Sequence, residues 1–410
     1  MIDWQSRYSQ RAALVTDNVL GEVLRQSQNT DIIGFSGGLP AGELFPVDRF
    51  REAADVVLRT SGKQALQYSS TEGYSPLRSL VASYLVRFGV PVHESNVLIT
   101  TGSQQAMDLV GRLFLDPGDR IALESPTYVG AVKAFRIYQP EFRIVENDGD
   151  GISIDHLSKV LETDPKLIYV LPNFQNPTGI TLSLARREQL VNLANTHDVA
   201  VVEDDPYSQL RYEGEFIPPL IALDPSIKNG QVSTLYRGNV VYHGTFSKLL
   251  APGLRVGWVI APTDVIQHLA ALKQTVDLHT STFAQMLAYE VAKDEFLEQH
   301  VLRLRSVYRT RRDVMLKALE EHFPVEATWS KPKGGLFVWV ELPSYIDTNI
   351  ILNEATAKNV SFVPGASFFP NGGGSNFLRL TFSFAKPDRI EEGIKRLGAI
   401  IKDHIKDSSQ

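Results

Sequence analysis

The sequence predicts an α/β fold: a large domain with a mostly parallel mixed sheet sandwiched by helices, plus a smaller α+β domain. Three observations predict it. Apolar runs of strand length alternate with helical spacing from Asn96 to Ile260. Some runs, such as Val199-Ala-Val-Val-Glu203, are apolar at successive positions, as strands covered on both faces are. Beyond a long helical stretch, strands and helices recur in a shorter C-terminal part. The expected division is an N-terminal arm and part of the small domain over 1–45. A large domain over 46–295 and a small C-terminal domain over 296–410 follow.

The elements follow in order. Ser36-Gly-Gly-Leu-Pro40 reads as a loop, and Asp48 as the cap of a helix through Phe50, Ala53, Val56 and Val57. Ser75-Pro76 opens another helix, with the hydroxyl as N-cap and proline at the first helical position. Asn96–Thr101 is a strand, and Gly102-Ser-Gln-Gln-Ala106 turns it directly into a helix. Strands are expected at Arg120–Glu124, Phe142–Val145, Leu167–Leu171 and Val199–Glu203, with helices at Thr127–Ile137 and Leu184–Thr196. Asn239–His243 and Arg255–Ile260 read as strands, and Thr263 or Asp264 as the cap of the next helix. A helical pattern, broken or bent, runs from Phe283 to Phe323. The last part has strands at Gly334–Val340 and Phe377–Phe382, and helices at Asn353–Lys358 and from Pro387.

The chain has 410 residues, 43% hydrophobic and 21% charged, an ordinary balance for a globular protein with a large core. A net charge of -6 and no dense basic run argue against a nucleic-acid surface. The absence of cysteine removes disulfides, thiolate nucleophiles and cysteine-ligated metals. No metal site is expected. The N-terminus lacks a basic-then-apolar leader and no apolar run reaches membrane-spanning length, so the expected location is cytoplasmic, without a membrane partner.

Chemistry concentrates at strand ends. Between the Asn239–His243 and Arg255–Ile260 runs sits Lys248, preceded by Thr245 and Ser247. Two readings fit: a solvated loop with an ordinary lysine, or a desolvated lysine that forms a Schiff base with an aldehyde. On the second reading the two hydroxyls and Arg255 suit a phosphate, which names pyridoxal 5'-phosphate. The glycine turn at Gly102 exposes helix amides to a phosphate, or is a plain strand-to-helix turn. Asn173-Phe-Gln-Asn-Pro-Thr-Gly179 offers an amide to a phenolate oxygen, or is an Asn-Pro turn. Glu203-Asp-Asp-Pro-Tyr207 ends a buried strand in acids. It is a surface turn, or it sets a carboxylate against a pyridine nitrogen. Arg379 inside an apolar strand wants a carboxylate, from a substrate or from the protein itself.

Taken together, these motifs resemble the class I/II aminotransferases of PLP fold type I, in the subgroup of the 2-aminoadipate and kynurenine aminotransferases and the catalytic domains of MocR-type regulators. The resemblance runs from Gly37-Gly-Leu-Pro40 to Arg379 with the motifs in the family's order. It implies Lys248 as the Schiff-base lysine and proton carrier. It implies Asp204, three residues before Tyr207, as the partner of the pyridine nitrogen, rather than Asp205. Tyr207 and Asn176 would bond the phenolate oxygen, and Tyr128 would stack on the ring. Ser103, Gln104, Thr245, Ser247 and Arg255 would bind the phosphate. Arg379 would hold the substrate α-carboxylate, helped by Asn173, with Gly38 lining the pocket. Tyr68 would reach the phosphate of the neighbouring subunit, which implies a homodimer with shared sites.

One departure stands out. Where dicarboxylate-handling relatives carry an arginine on the N-terminal helix, this chain has Gly21, and its nearest basic residue is Arg25. The resemblance then implies an amino acid donor that is neutral or aromatic, or broad use, and a 2-oxo acid acceptor such as 2-oxoglutarate. Strict use of 2-aminoadipate is the alternative. So is another reaction of the same cofactor: β-elimination, decarboxylation or racemisation. A cofactor-sensing regulator is disfavoured, because few residues precede Gly37 and the charge is wrong for DNA.

Overall fold

The computed structural model describes residues 1–15, 21, 25, 29, 31–86, 88–228 and 235–407. Its strands, in chain order, are β1 (Ile33–Gly34), β2 (Val97–Thr100), β3 (Arg120–Glu124), β4 (Glu141–Val145), β5 (Leu167–Val170), β6 (Ala200–Asp204) and β7 (Val240–Thr245). After these come β8 (Gly257–Ile260), β9 (Thr328–Trp329), β10 (Phe337–Glu341), β11 (Val360–Ser361), β12 (Val363–Pro364) and β13 (Phe377–Thr381). Seven strands form the main sheet in the order β2-β8-β7-β6-β5-β3-β4. The β3–β4, β3–β5, β5–β6 and β6–β7 pairs are parallel. Strand β8 is antiparallel to both neighbours, so β2 points the same way as β7. The carboxyl ends of β2, β5, β6 and β7 therefore share one edge, where ligands of such sheets collect.

Side chains alternate across this sheet. Leu98, Tyr169, Val202, Val241 and Val259 face one core, together with Ala106 and Val110 of the helix Ser103–Phe114. Ile99, Ile168, Val201, Tyr242 and Ile260 face the other. A face change at each residue is what lets consecutive acids at the end of β6 meet different surroundings.

The helical pattern of Phe283–Phe323 is broken as expected, into Thr282–Ala292 and Phe296–His322, with Asp294 at φ 62 between them. Three capping expectations are corrected. The first helix begins at Val47, and Asp48 pairs with Arg51 at 3.2 Å instead of capping. Ser75 lies inside its helix: the Tyr74 carbonyl accepts from the Leu77 and Arg78 amides, and the Ser75 hydroxyl donates to Glu94. The helix Thr263–Asp277 starts on the Pro262 carbonyl with no side-chain cap. Arg255 does not open a strand either. It sits in the left-handed region at φ 52, two residues before β8. The helix Ile154–Leu161, capped by Ser153, was not foreseen.

The arm is stitched into the C-terminal part. Strand β1 pairs in parallel with β11, and Ile33 lies opposite Val360. The Phe35 amide donates to Ser361 at 2.8 Å, and the Phe35 carbonyl accepts from Thr381 of β13 at 2.9 Å. Two residues further on, Gly37 and Gly38 line a cavity at the edge of the main sheet. Phe35 and Ile33 rest on Gly393 of the helix Pro387–Asp407, where a Cβ would lie 2.6 Å from Phe35 and 2.7 Å from Ile33. Gly393→Leu should thus lift β1 and lower unfolding stability by about 2 kcal/mol, the ordinary cost of overpacking a core. Urea unfolding monitored by circular dichroism measures it.

Candidate active site

A cavity of about 310 Å³ opens at the shared carboxyl edge. Ser103, Asp204, Thr245 and Lys248 line it from the main sheet and its turns, Gly38 from the N-terminal arm and Arg379 from the C-terminal part.

Its chemistry begins with the two acids that end β6 and its turn. Asp205 is saturated: it accepts from Asn173 at 3.0 Å, from Tyr242 at 2.9 Å and from the Ser208 amide at 3.1 Å. Asp204, on the opposite face, accepts from Tyr169 at 2.8 Å through Oδ2. Its Oδ1 is buried with no hydrogen-bond partner among the described residues. Burial pushes the Asp204 carboxyl up to about 7, the Tyr169 bond opposes that rise, and the Asp205 charge adds to it. An acid that lines a cavity and keeps one oxygen without a partner is what a protonated pyridine nitrogen needs.

The cations come next. Lys248 Nζ donates to the Gly38 carbonyl at 2.8 Å. Burial, then the nearby charges of Arg379 and Arg255, lower its pKa to about 8. The neutral, nucleophilic amine is therefore reachable near neutral pH. Arg379 donates to Asn176 at 2.8 Å and to the Ser36 carbonyl, with its guanidinium 4.3 Å from the Phe337 ring centre and 5.0 Å from that of Phe368. Its Nε has no hydrogen-bond partner among the described residues. Burial lowers its pKa to about 10, so it stays charged and suits a carboxylate. Burial pushes the Tyr207 phenol far up, the Asn176 amide beside it opposing part of that rise, so Tyr207 stays protonated and can donate to a ligand. Burial holds Tyr128 neutral in the same way, at about 12.

An anion cradle closes the other end. The helix Ser103–Phe114 starts at the cavity behind Gly102, which has no side chain to occupy the first-turn amides. Gly102 has φ 76, and a Cβ there would lie 2.4 Å from Arg255 Nη2. The left-handed turn at Arg255 thus serves to lay its guanidinium against the helix start. Thr245 and Ser247 hydroxyls stand 2.9 Å apart at the same place, and Gln104 reaches back to the Gly130 carbonyl at 3.0 Å. A lysine of lowered pKa, an acid with an open oxygen and an anion cradle together fit pyridoxal 5'-phosphate.

One expectation does not fit this cavity. Asn173 is outside it. Its amide is spent on Asp205, and its carbonyl oxygen accepts from the buried Arg187 at 2.7 Å. Asn176 stands beside Arg379 instead. Tyr68 does not line the cavity of its own chain. It is 77% exposed and packs edge-on against His279 at 5.9 Å. Sequence reasoning missed Tyr169 and the two phenylalanines around Arg379. A hydroxyl in the buried run Leu167-Ile-Tyr-Val-Leu171, on the strand beside the acids, was the available signal for Tyr169.

Known proteins agree with this geometry. Residues 30–397 match the family aminotransferase class I and II. The chain is 41% identical to aromatic-amino-acid aminotransferase 1 of Thermococcus litoralis, over 99% of this chain and 96% of that one. An α-aminoadipate aminotransferase of Thermus thermophilus, solved with N-(5'-phosphopyridoxyl)-L-leucine, superposes with a TM-score of 0.92 at 41% identity, covering 99% of this chain and 100% of that one. A multiple-substrate aminotransferase of Thermococcus profundus gives 0.91 at 41% identity, with 99% and 100% covered. With the lysine, the acid and the anion cradle at one strand edge, the chain belongs to the class I and II aminotransferases, pyridoxal-phosphate enzymes of fold type I.

Proposed function

We propose that this aminotransferase takes the α-amino group from neutral or aromatic amino acids, with broad tolerance, and passes it to a 2-oxo acid such as 2-oxoglutarate. The cavity wall carries the donor reading. Among the described residues lining it, the cations are Lys248, Arg255 and Arg379. Each already has a task in the site, and Leu39, Val129, Val363 and Phe368 supply apolar wall. Among the described residues a donor side chain thus meets no dedicated cation, and apolar contacts discriminate only by roughly 1–3 kcal/mol per methylene. Gly21, in place of an arginine, points the same way. The aromatic-amino-acid and multiple-substrate enzymes among its relatives support this reading.

When bound, pyridoxal phosphate supplies an electron sink for the donor's α-carbon. In this reading Lys248 carries the linkage to the cofactor and, once free, moves the α-proton on Nζ. Asp204 Oδ1 keeps the ring nitrogen protonated. Arg379 exchanges its Ser36 and Asn176 acceptors for the substrate α-carboxylate. Tyr207 and Asn176 serve the phenolate oxygen, and Tyr128 covers the ring. Ser103, Gln104, Thr245, Ser247 and Arg255 hold the phosphate. We also propose a homodimer in which Tyr68 completes the partner's phosphate site; its exposure and its absence from its own cavity support that. The chain is proposed to divide near residues 45 and 295, the second boundary resting on the helix break around Asp294.

Three experiments test these proposals. In the first, loaded enzyme is mixed with leucine, phenylalanine or 2-aminoadipate without acceptor. The neutral and aromatic donors should each bleach the cofactor's visible band and release one oxo acid per site, and 2-oxoglutarate should restore the band with formation of glutamate. Release of carbon dioxide or ammonia would mean different chemistry. A rate confined to 2-aminoadipate would reject the donor reading.

The second separates the acids. Asp204→Ala should fold normally and cut turnover by roughly a thousandfold or more, as loss of a preorganised charge at the reacting group does. Asp205→Ala strands the Asn173, Tyr242 and Ser208 donors, so it should lower stability by about 3 kcal/mol while its folded fraction keeps most turnover. The opposite ranking would reject the register.

The third is complementation. Lys248→Ala and Tyr68→Ala homodimers should each be weakly active, and mixing them with subunit exchange should restore one working site per hybrid. Full activity of isolated monomers would end the shared-site proposal.

A further inference from the structure

His243 lies in β7 beside the acid of the active site, and the reaction described so far makes no use of it. Parallel register sets it directly opposite Asp204 of β6, and antiparallel register sets it opposite Val259 of β8. Register partners on neighbouring strands point to the same face and lie roughly 4.8 Å apart. That face carries Val241, Val202, Val259 and Tyr169, and the helix Ser103–Phe114 covers it. The imidazole is thus enclosed in the floor below the cavity, with 0% of its surface exposed.

Both of its ring nitrogens are buried and have no hydrogen-bond partner among the described residues. A neutral imidazole always carries one N–H donor and one acceptor nitrogen. Burial pushes its pKa down to about 3, so the ring is neutral under all working conditions. Leaving both nitrogens unmet costs stability that a leucine or valine at this place would not. The adjoining residue of the same face, Asp204, carries an acceptor without a partner among the described residues, its Oδ1. A carboxylate oxygen can accept two hydrogen bonds, so Oδ1 can serve both a ligand and a neighbour.

We propose that His243 is a positioning residue for Asp204: in the loaded enzyme its ring N–H donates to the Asp204 carboxylate and keeps that carboxylate ionised against the cofactor's pyridine nitrogen. The strand register sets the two side chains side by side on one face of the sheet. Tyr169 is the partner donor on Oδ2. The two together give the buried acid neutral donors on both oxygens, without a second charge to compete with the pyridinium. This inference rests on the reading of Asp204 as the pyridine partner.

The experiment loads wild type, His243→Leu, His243→Gln and Asp204→Asn with pyridoxal phosphate labelled with nitrogen-15 in the ring. The ring-nitrogen chemical shift reports protonation, and equilibrium dialysis reports cofactor affinity. Asp204→Asn should move the signal to the neutral form. His243→Leu should move it part of the way and weaken cofactor binding roughly tenfold, the effect of one lost hydrogen bond to a charged group. Melting of its apo form should be unchanged or raised. His243→Gln, which keeps a donor, should recover much of both readouts. A His243→Leu enzyme with wild-type signal and affinity, beside an altered Asp204→Asn, would overturn the proposal and leave His243 as core filling. An unaltered Asp204→Asn would instead refute the underlying reading of Asp204. If His243→Leu does not fold, the crystal structure of loaded wild type decides. A ring nitrogen within about 3.2 Å of an Asp204 oxygen supports the contact, and a gap beyond roughly 4 Å without a bridging water overturns it.

Discussion

Asp204 and Asp205, the last two of three successive carboxylates at the end of β6, are the constraint on which this site depends. Either acid alone would be expensive to bury, and the pair repel. The pleat separates them. Asp205 turns to the face where Asn173, Tyr242 and the Ser208 amide meet it, and Arg187 in turn fixes Asn173. Asp204 turns to the other face and keeps one oxygen unmet beside the cavity. The cost is local, and the large cores on both faces of the sheet carry it.

The same economy governs the cations. Lys248 and Arg379 both rest on backbone carbonyls of one short segment, Gly38 and Ser36. That segment is itself held by β11 and β13 through Phe35. Neutral carbonyls hold a cation in place without cancelling its charge, so each cation remains available to an arriving anion or aldehyde. A carboxylate partner would have given a tighter pair and a dead site. The arm therefore acts as a placeholder for ligand groups, and this couples the C-terminal part to the chemistry at the edge of the main sheet.

Much of the fold was legible because its signals are local. Alternation of apolar runs located the strands of the main sheet to within a residue or two, since a buried parallel strand has little other way to be written. Short pieces were not legible. Strands β1 and β11 are two residues each, and only their tertiary pairing makes them strands. Capping failed where it was inferred from residue type alone. Ser75 had a better partner in Glu94, and Pro46 and Pro262 took the positions given to Asp48 and Thr263. The site was legible where a residue type has few uses in its setting: Lys248 in a turn between two strands, Asp204 at a buried strand end and Arg379 inside an apolar strand. It misled at Asn173, because two asparagines three residues apart follow the same strand. Only the observed turn shows that Asn173 faces Asp205 and Asn176 faces Arg379.

Arg255 and His243 show why the remainder needed coordinates. At the level of sequence, Arg255 opens an apolar run and His243 closes one, and both look like ordinary strand boundaries. Arg255 instead takes a left-handed backbone, which a residue without a glycine's freedom adopts only when the fold gains by it. The gain is visible in its guanidinium, laid against a Gly102 that could bear no side chain. His243 is enclosed without partners beside an acid that keeps one oxygen unmet. In both cases the informative quantity is an unfavourable local energy. Such a cost cannot be read from residue type, because it exists only once neighbouring strands fix what each side chain is denied. Locating those costs, rather than the favourable contacts, is what marks out the working edge of this sheet.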